Sequence, residues 1–224
     1  MNDPIVIVSA ARTAMGAFQG GFSSLTAANL GAEAIKAAVA RAGIDANLIE
    51  EVLMGCVLQA GQGQAPARQA ALQAGLPLSA GPATIHKVCG SAMTAPTLGH
   101  DGILAGSYGV AVVGGMESMT NAPYLLAKAR GGYRLGHGQM FDHMFMDGLE
   151  DAYSKETRGR LMGTFAEECA EAYGFTRAAQ DAYAVQSTTR AIEASNNGSF
   201  DWEIVPVTVA GRKGDVTLSK DEGP

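Results

Sequence analysis

The sequence predicts an α/β protein whose first part is built on a largely parallel sheet, and three observations carry that prediction. Short apolar, β-branched runs alternate with helical patterns over the first ~118 residues. Glycine, 29 of the 224 residues, punctuates the apolar runs without any period, as close packing between elements and tight turns require. The chain is 47% apolar and 17% charged, which supplies a sizeable core and excludes long disordered tails.

Each element follows from local chemistry. Residues 4–10 form an apolar, β-branched run expected as a buried strand. Ser24 or Thr26 can cap a helix over 25–42, with Leu30, Ile35, Ala38 and Val39 on one face and Gly43 stopping it. A second buried strand is expected over 51–59. The Ala- and Gln-rich stretch 64–74 reads as a helix ended by Gly75 and Pro77. A third strand over 83–88 runs into Cys89-Gly90-Ser91, a helix follows over 91–105, and an apolar strand over 108–114 completes the pattern. Pro96 falls inside that helix, where an interior proline removes a hydrogen bond.

At Met116-Glu117-Ser118-Met119 the character changes. The segment up to about 203 is richer in Met, aromatic and charged residues, with Gly131-Gly132, Gly136-His137-Gly138 and Gly159 marking irregular loops. Helices are expected over 164–173 and 176–194, then a strand over 203–209 and a turn at Gly211-Arg212-Lys213-Gly214-Asp215.

Composition narrows the function classes. The net charge of −6 gives no general attraction for nucleic acid or an anionic membrane. No apolar run reaches the ~18 residues that a membrane-spanning helix needs. The opening residues carry an acid and too short an apolar stretch for a secretory signal. Three widely spaced cysteines, Cys56, Cys89 and Cys169, fit neither a disulfide framework nor a paired CxxC zinc site, so a reducing cytoplasm is expected, with no bound metal.

Among residues able to carry chemistry, Cys89 stands first. A helix start offers backbone N–H groups that stabilise a thiolate and a developing oxyanion. The alternative is a buried cysteine acting as a small hydrophobe, the role expected of Cys56 and Cys169. A nucleophilic cysteine needs a base. His86 sits on a strand face with Thr84 and Val88 and can simply fill the core edge. His100 lies about three helical turns beyond Cys89, while His137 and His143 fall in the irregular loop and read as exposed. Gly61-Gln62-Gly63 does not complete a dinucleotide fingerprint. The basic turn at 211–214 is either a phosphate site or a solvated hairpin tip. Glu50-Glu51 and Glu167-Glu168 read as exposed charges, and Met140, Phe141, Met144, Phe145 and Met146 as core or pocket lining.

Several stretches agree in order and spacing with one family. Ala10-Ala11-Arg12-Thr13, Lys87-Val88-Cys89-Gly90-Ser91-Ala92-Met93, Val113-Gly114-Gly115-Met116-Glu117-Ser118-Met119 and Gly211-Arg212-Lys213-Gly214-Asp215 together resemble the thiolases. Met146-Asp147-Gly148-Leu149-Glu150-Asp151 and Met162-Gly163-Thr164 are similar to the short-chain, acetoacetyl-CoA branch. The resemblance implies a thiolase-like first α/β half over 1–118 carrying the nucleophile. A loop domain over 119–210 would cover CoA, and 211–224 would begin the return to the α/β domain. It implies Claisen chemistry through an acyl-Cys89 intermediate, with acetyl-CoA and acetoacetyl-CoA as substrates, no permanently bound cofactor, and a homodimer or homotetramer. Leu149 and Met162 match positions near the pantetheine tunnel, and Arg212 the basic residue beside the nucleotide end.

The resemblance has departures. Thiolases are about twice this length and pair two similar α/β halves. Their Asn-Glu-Ala-Phe segment, activating His and second Cys lie in the later half, so the chain is expected to be an incomplete form. Leu161 stands where some members have His, preceded by the inserted-looking stretch 153–160. The alternatives are a non-catalytic half-thiolase serving as an acyl-CoA-binding or dimerisation module, a longer-chain 3-oxoacyl-CoA thiolase, and a Cys hydrolase using His86.

Overall fold

The computed structural model describes residues 4–212 and 214–223. The first three residues, Lys213 of the basic turn and Pro224 lie outside the described residues. The chain divides into two compact units, Met1–Asn121 with Phe200–Gly223, and Ala122–Ser199.

The first unit contains β1 (Arg12–Thr13), α1 (Ala27–Ala42), β2 (Glu51–Gly55), α2 (Pro66–Gln73), β3 (Gly81–Ile85), α3 (Ser91–Leu104) and β4 (Ala111–Gly115). Its central sheet has the order β3-β2-β4, all parallel, with Leu53 opposite Ala83 on one side and Val113 on the other. Helices α2 and α3 are the crossovers that a parallel arrangement demands. Thr26 caps α1: its Oγ1 accepts from the Asn29 amide at 3.1 Å, and Asn29 Oδ1 accepts from the Thr26 amide at 3.0 Å. Gly43, at φ 66°, closes the helix in the left-handed conformation. Pro66 begins α2 where its missing N–H costs nothing. The core joins Ala27, Ala28 and Ile35 of α1 to Val52 and Met54 of β2, Ala67, Ala70 and Ala71 of α2, and Met116. Alanine on both helices lets them approach closely, and Asn29 Nδ2 donates to Gln73 Oε1 at 2.8 Å at their rim. Pro96 does lie inside α3.

The first unit also holds β7 (Ile204–Val205), β8 (Val207–Val209) and β9 (Val216–Leu218). β7 runs parallel to β1, and β8 pairs antiparallel with β9. The single strand expected over 203–209 is therefore two, parted at Pro206, which has no N–H to donate.

The second unit contains β5 (Tyr124–Leu125), β6 (Phe141–Asp142), α4 (Met162–Ala172) and α5 (Arg177–Asn196), with β5 antiparallel to β6. A π-helical turn spans Phe145–Leu149. An isolated antiparallel bridge between Glu150 and Leu161 closes the loop between them. Thr176 caps α5 through the Ala179 amide.

Other expectations are corrected. Residues 4–10 are not a strand, and Val6, Ile7 and Val8 are 65%, 87% and 65% exposed. A β-branched composition specifies an extended backbone, but a strand needs a ladder partner, which this stretch lacks among the described residues. β2 stops at Gly55 rather than 59: the Cys56 amide still reaches the Ile85 carbonyl, but a carboxylate takes the Val57 and Leu58 amides (below). β3 and β4 are only partly buried. Met140 and Met146 are exposed rather than core. Cys169, expected to pack, is exposed on α4, since no residue of that helix is buried. Glu50 and Glu51 are not merely solvated: Glu50 accepts from the Gly109 and Val110 amides, and partial burial raises the Glu51 carboxyl above its ordinary range.

Candidate active site

The three parallel strands of the central sheet end at Gly55, Ile85 and Gly115. In open parallel sheets, ligands bind in the crevice beyond these carboxyl ends. A cavity of about 520 Å³ lies there, lined by Gly55, Cys56 and Val57 after β2, by Val88, Cys89, Ser91 and Ala92 after β3, and by Met116 and Glu117 after β4. Arg12, Thr13, Ala14 and Met15 form another part of its wall.

Cys89 is exposed on this cavity. The chain reaches it through a strained corner. Val88 has φ 48°, a left-handed conformation that β-branched residues avoid. Ser91 holds the corner: its Oγ accepts from the Lys87 amide at 2.8 Å and donates to the Val88 carbonyl at 2.5 Å. The Gly90 and Ser91 amides donate to the Lys87 and Val88 carbonyls at 3.1 and 3.0 Å. The start of α3 can press onto the sheet because its neighbours have no side chains. A Cβ on Gly55 would lie 2.5 Å from the Ala92 nitrogen, and one on Gly115 would lie 2.5 Å from the Ala92 Cβ.

Two groups to which the motifs gave no role complete the cavity. Glu117 accepts from the Val57 amide at 2.7 Å and from the Leu58 amide at 3.3 Å, which explains where β2 ends. The signal for this was a carboxylate directly after an unbroken apolar strand. The buried Cys56 thiol donates to Glu117 Oε1 at 3.5 Å and accepts from Gln62 Nε2 at 3.3 Å. Burial, reinforced by the Glu117 charge, pushes that thiol up to about 12. The second group is the Arg12 guanidinium, which holds Asp221 through bonds of 2.7 and 3.0 Å and Glu203 at 2.6 Å. The bond to Arg12 lowers the Asp221 carboxyl below its ordinary value, and the same bond raises Arg12. Glu222 accepts from the Ala17 and Gly21 amides and fixes the turn that follows the cavity wall.

The other candidates fall elsewhere. Among the described residues, no histidine lines this cavity. His86 is exposed, its Nδ1 accepting from the Val88 amide at 3.2 Å. His100 is exposed beside Asp101. His143, expected to be exposed, is buried, because its ring meets Asp147 at 2.6 Å within the second unit. In that unit the Glu150–Leu161 bridge brings together the stretches that carry Leu149 and Met162. Arg212 belongs to the first unit, exposed in the turn between β8 and β9.

Comparison with known proteins agrees with this arrangement. The family described as "Thiolase, N-terminal domain" matches residues 5–224. Acetyl-CoA acetyltransferase 2 of Arabidopsis thaliana is 50% identical over 221 residues, 98% of this chain and 54% of its own length. Acetyl-CoA acetyltransferase of Escherichia coli K12 is 50% identical over 220 residues, 98% of this chain and 55% of its own. The structure of acetyl-CoA acetyltransferase from Syntrophomonas wolfei superposes with a TM-score of 0.89 at 40% identity, covering 98% of this chain and 54% of that one. The chain spans about half the length of the curated relatives it matches. Its parallel sheet presents Cys-Gly-Ser between β3 and α3 and Gly-Gly-Met-Glu-Ser-Met at the end of β4, across β2 from β3, and with the thiolase amino-terminal domain matched over residues 5–224 the chain belongs to that family.

Proposed function

We propose that this chain is the nucleophile-bearing part of an acetyl-CoA C-acetyltransferase that makes or cleaves acetoacetyl-CoA. The observation that carries the reading is the exposed Cys89 on a cavity at the carboxyl ends of three parallel strands. In the first step the Cys89 sulfur attacks the thioester carbonyl of acetyl-CoA. The carbonyl–sulfur bond to CoA breaks, CoA leaves as its thiol with the proton given up by Cys89, and S-acetyl-Cys89 remains. The Gly90 and Ser91 amides are already engaged, which leaves the Cys89 amide as the candidate oxyanion donor. In the second step a second acetyl-CoA loses an α-proton to a base, and its carbanion attacks the acetyl carbonyl. Acetoacetyl-CoA leaves and the thiol is restored. No histidine among the described residues lines the cavity, and its carboxylate, Glu117, is engaged by the Val57 and Leu58 amides, so the reading assigns this chain the nucleophile and gives the second step to a base supplied from elsewhere.

The remaining roles belong to the same proposal. Leu149 and Met162 would face the pantetheine arm, Arg212 the nucleotide end of CoA, and 119–210 would cover the bound substrate. Met93 and Leu104, three turns apart on α3 and both exposed, support burial against a second α/β half. The protein would be a cytoplasmic homodimer or homotetramer of fatty acid metabolism with no resident cofactor. The three free cysteines are compatible with that setting, and no helix among the described residues is long and apolar enough to cross a membrane.

Mass spectrometry of the chain after incubation with acetyl-CoA tests the reading. An acetyl increment on the Cys89 peptide, absent in Cys89→Ser, is expected; an unmodified Cys89 at saturating acetyl-CoA overturns it. A panel of longer acyl-CoA thioesters separates the acetyl enzyme from a longer-chain 3-oxoacyl-CoA thiolase. Saturable CoA-thioester binding without acylation would mark the non-catalytic binding module.

A further inference from the structure

We infer that His143 is a positioning residue for the acyl-CoA arm, acting through Asp147 on the π-helical turn that carries Leu149. The inference rests on the reading of Leu149 and Met162 given under Proposed function.

His143 sits immediately after β6 and is 4% exposed. Its backbone N–H donates to the Pro123 carbonyl at 3.2 Å, which ties it to the approach to β5. Four residues on, Asp147 lies inside the π-helical turn, with its side chain 46% exposed. The carboxylate can only accept, so His143 Nδ1–H donates to Asp147 Oδ2 at 2.6 Å. The pair therefore joins the β5–β6 ribbon to the middle of the turn. Asp142 Oδ1 holds the entry by accepting from the Met144 amide at 2.8 Å, and the Glu150 amide closes the turn on the Phe145 carbonyl at 2.9 Å.

A π-helical turn is a poor conformer in isolation and persists where side chains hold it. What it presents here is Leu149, followed at once by Glu150, whose bridge to Leu161 sets the start of α4 and Met162 beside it. Releasing Asp147 lets the turn relax toward ordinary α geometry, which rotates Leu149 away from Met162. Cys89 lies in the other unit and is not held by these bonds, so the effect falls on substrate binding and not on the acylation step.

The test is the acetylation of Cys89 by acetyl-CoA in a single turnover, read as a half-saturating concentration and a maximal rate. Asp147→Ala, at a half-exposed position that tolerates truncation, and His143→Leu are expected to raise the half-saturating concentration about five- to tenfold with the maximal rate unchanged. His143→Asn, whose amide N–H replaces Nδ1–H, is expected to restore it to within about twofold. Wild-type saturation in Asp147→Ala, or a loss confined to the maximal rate, overturns the inference while leaving the proposed function standing. Failure of the wild-type chain to be acetylated saturably overturns the proposed function, and this inference with it.

Discussion

Gly55 at the end of β2 and Ala92 in the first turn of α3 pack backbone against backbone: a methyl group on Gly55 would lie 2.5 Å from the Ala92 nitrogen. That contact sets how deeply the Cys89 corner sits against the sheet, and the first prediction follows from it. Gly55→Ala must push α3 outward, since the obstacle is main chain and cannot rotate away. Overpacking of this kind costs about 1–3 kcal/mol. Urea denaturation is expected to show that loss, together with slower acetylation of Cys89. A Gly55→Ala chain with wild-type stability would contradict the packing described.

Glu117 offers a second test. Its carboxylate accepts two backbone amides and the Cys56 thiol. Glu117→Gln keeps the shape but removes the charge that strengthens the bonds from the Val57 and Leu58 amides, and turns an NH2 group toward the Cys56 thiol or toward those amides. The expected cost is about 1–3 kcal/mol, measured as a lower urea midpoint with an unchanged slope. An unaltered midpoint would show that the charge of Glu117 adds nothing to holding these amides.

These two relationships show how far the amino-acid sequence could be read. Thr26, Asn29 and Gly43 bracket α1 through contacts within a few residues of each end, so local chemistry sufficed. Cys89 was legible because Cys-Gly-Ser follows an apolar run at a helix start. The failures are of pairing. Residues 4–10 have strand composition, but composition does not say which edge will accept their amides. The apolar run predicts a β2 longer than the observed one because Glu117, 60 residues away in the chain, takes the Val57 amide. A polar, glycine-rich loop predicts an exposed His143, and Asp147 four residues on is the local signal for its burial. Arg12 and Asp221, 209 residues apart, could not be joined by any local rule.

The Arg12–Asp221 pair makes stability depend on pH in a definite direction. Arg12 lowers the Asp221 carboxyl from its ordinary value of 3.8. An acid with a depressed folded value contributes its full stability above the unfolded value and loses it as pH falls through the folded one. Wild-type chain is therefore expected to lose melting temperature on acidification below about pH 4. Asp221→Asn, lower at neutral pH, should lose less over the same interval. Parallel melting curves for the two proteins would remove Asp221 from this role.

The cysteines differ in reactivity for reasons of burial. Cys56 is buried with its thiol pushed up to about 12, whereas Cys89 and Cys169 are exposed. Iodoacetamide at pH 8 on the folded chain is expected to label Cys89 and Cys169 and spare Cys56, with Cys56 labelled only in urea. Labelling of native Cys56 at a rate like that of Cys169 would show that its contact with Glu117 opens readily.

The central proposal is that the Cys89 sulfur takes an acetyl group from CoA, while no histidine among the described residues lines its cavity to carry the chemistry further. The direct measurement is the amount of CoA released per chain over time from excess acetyl-CoA. The account predicts a plateau at a single equivalent, abolished in Cys89→Ser. Release that is indifferent to Cys89→Ser, or that continues to acetoacetyl-CoA without a plateau, would contradict it.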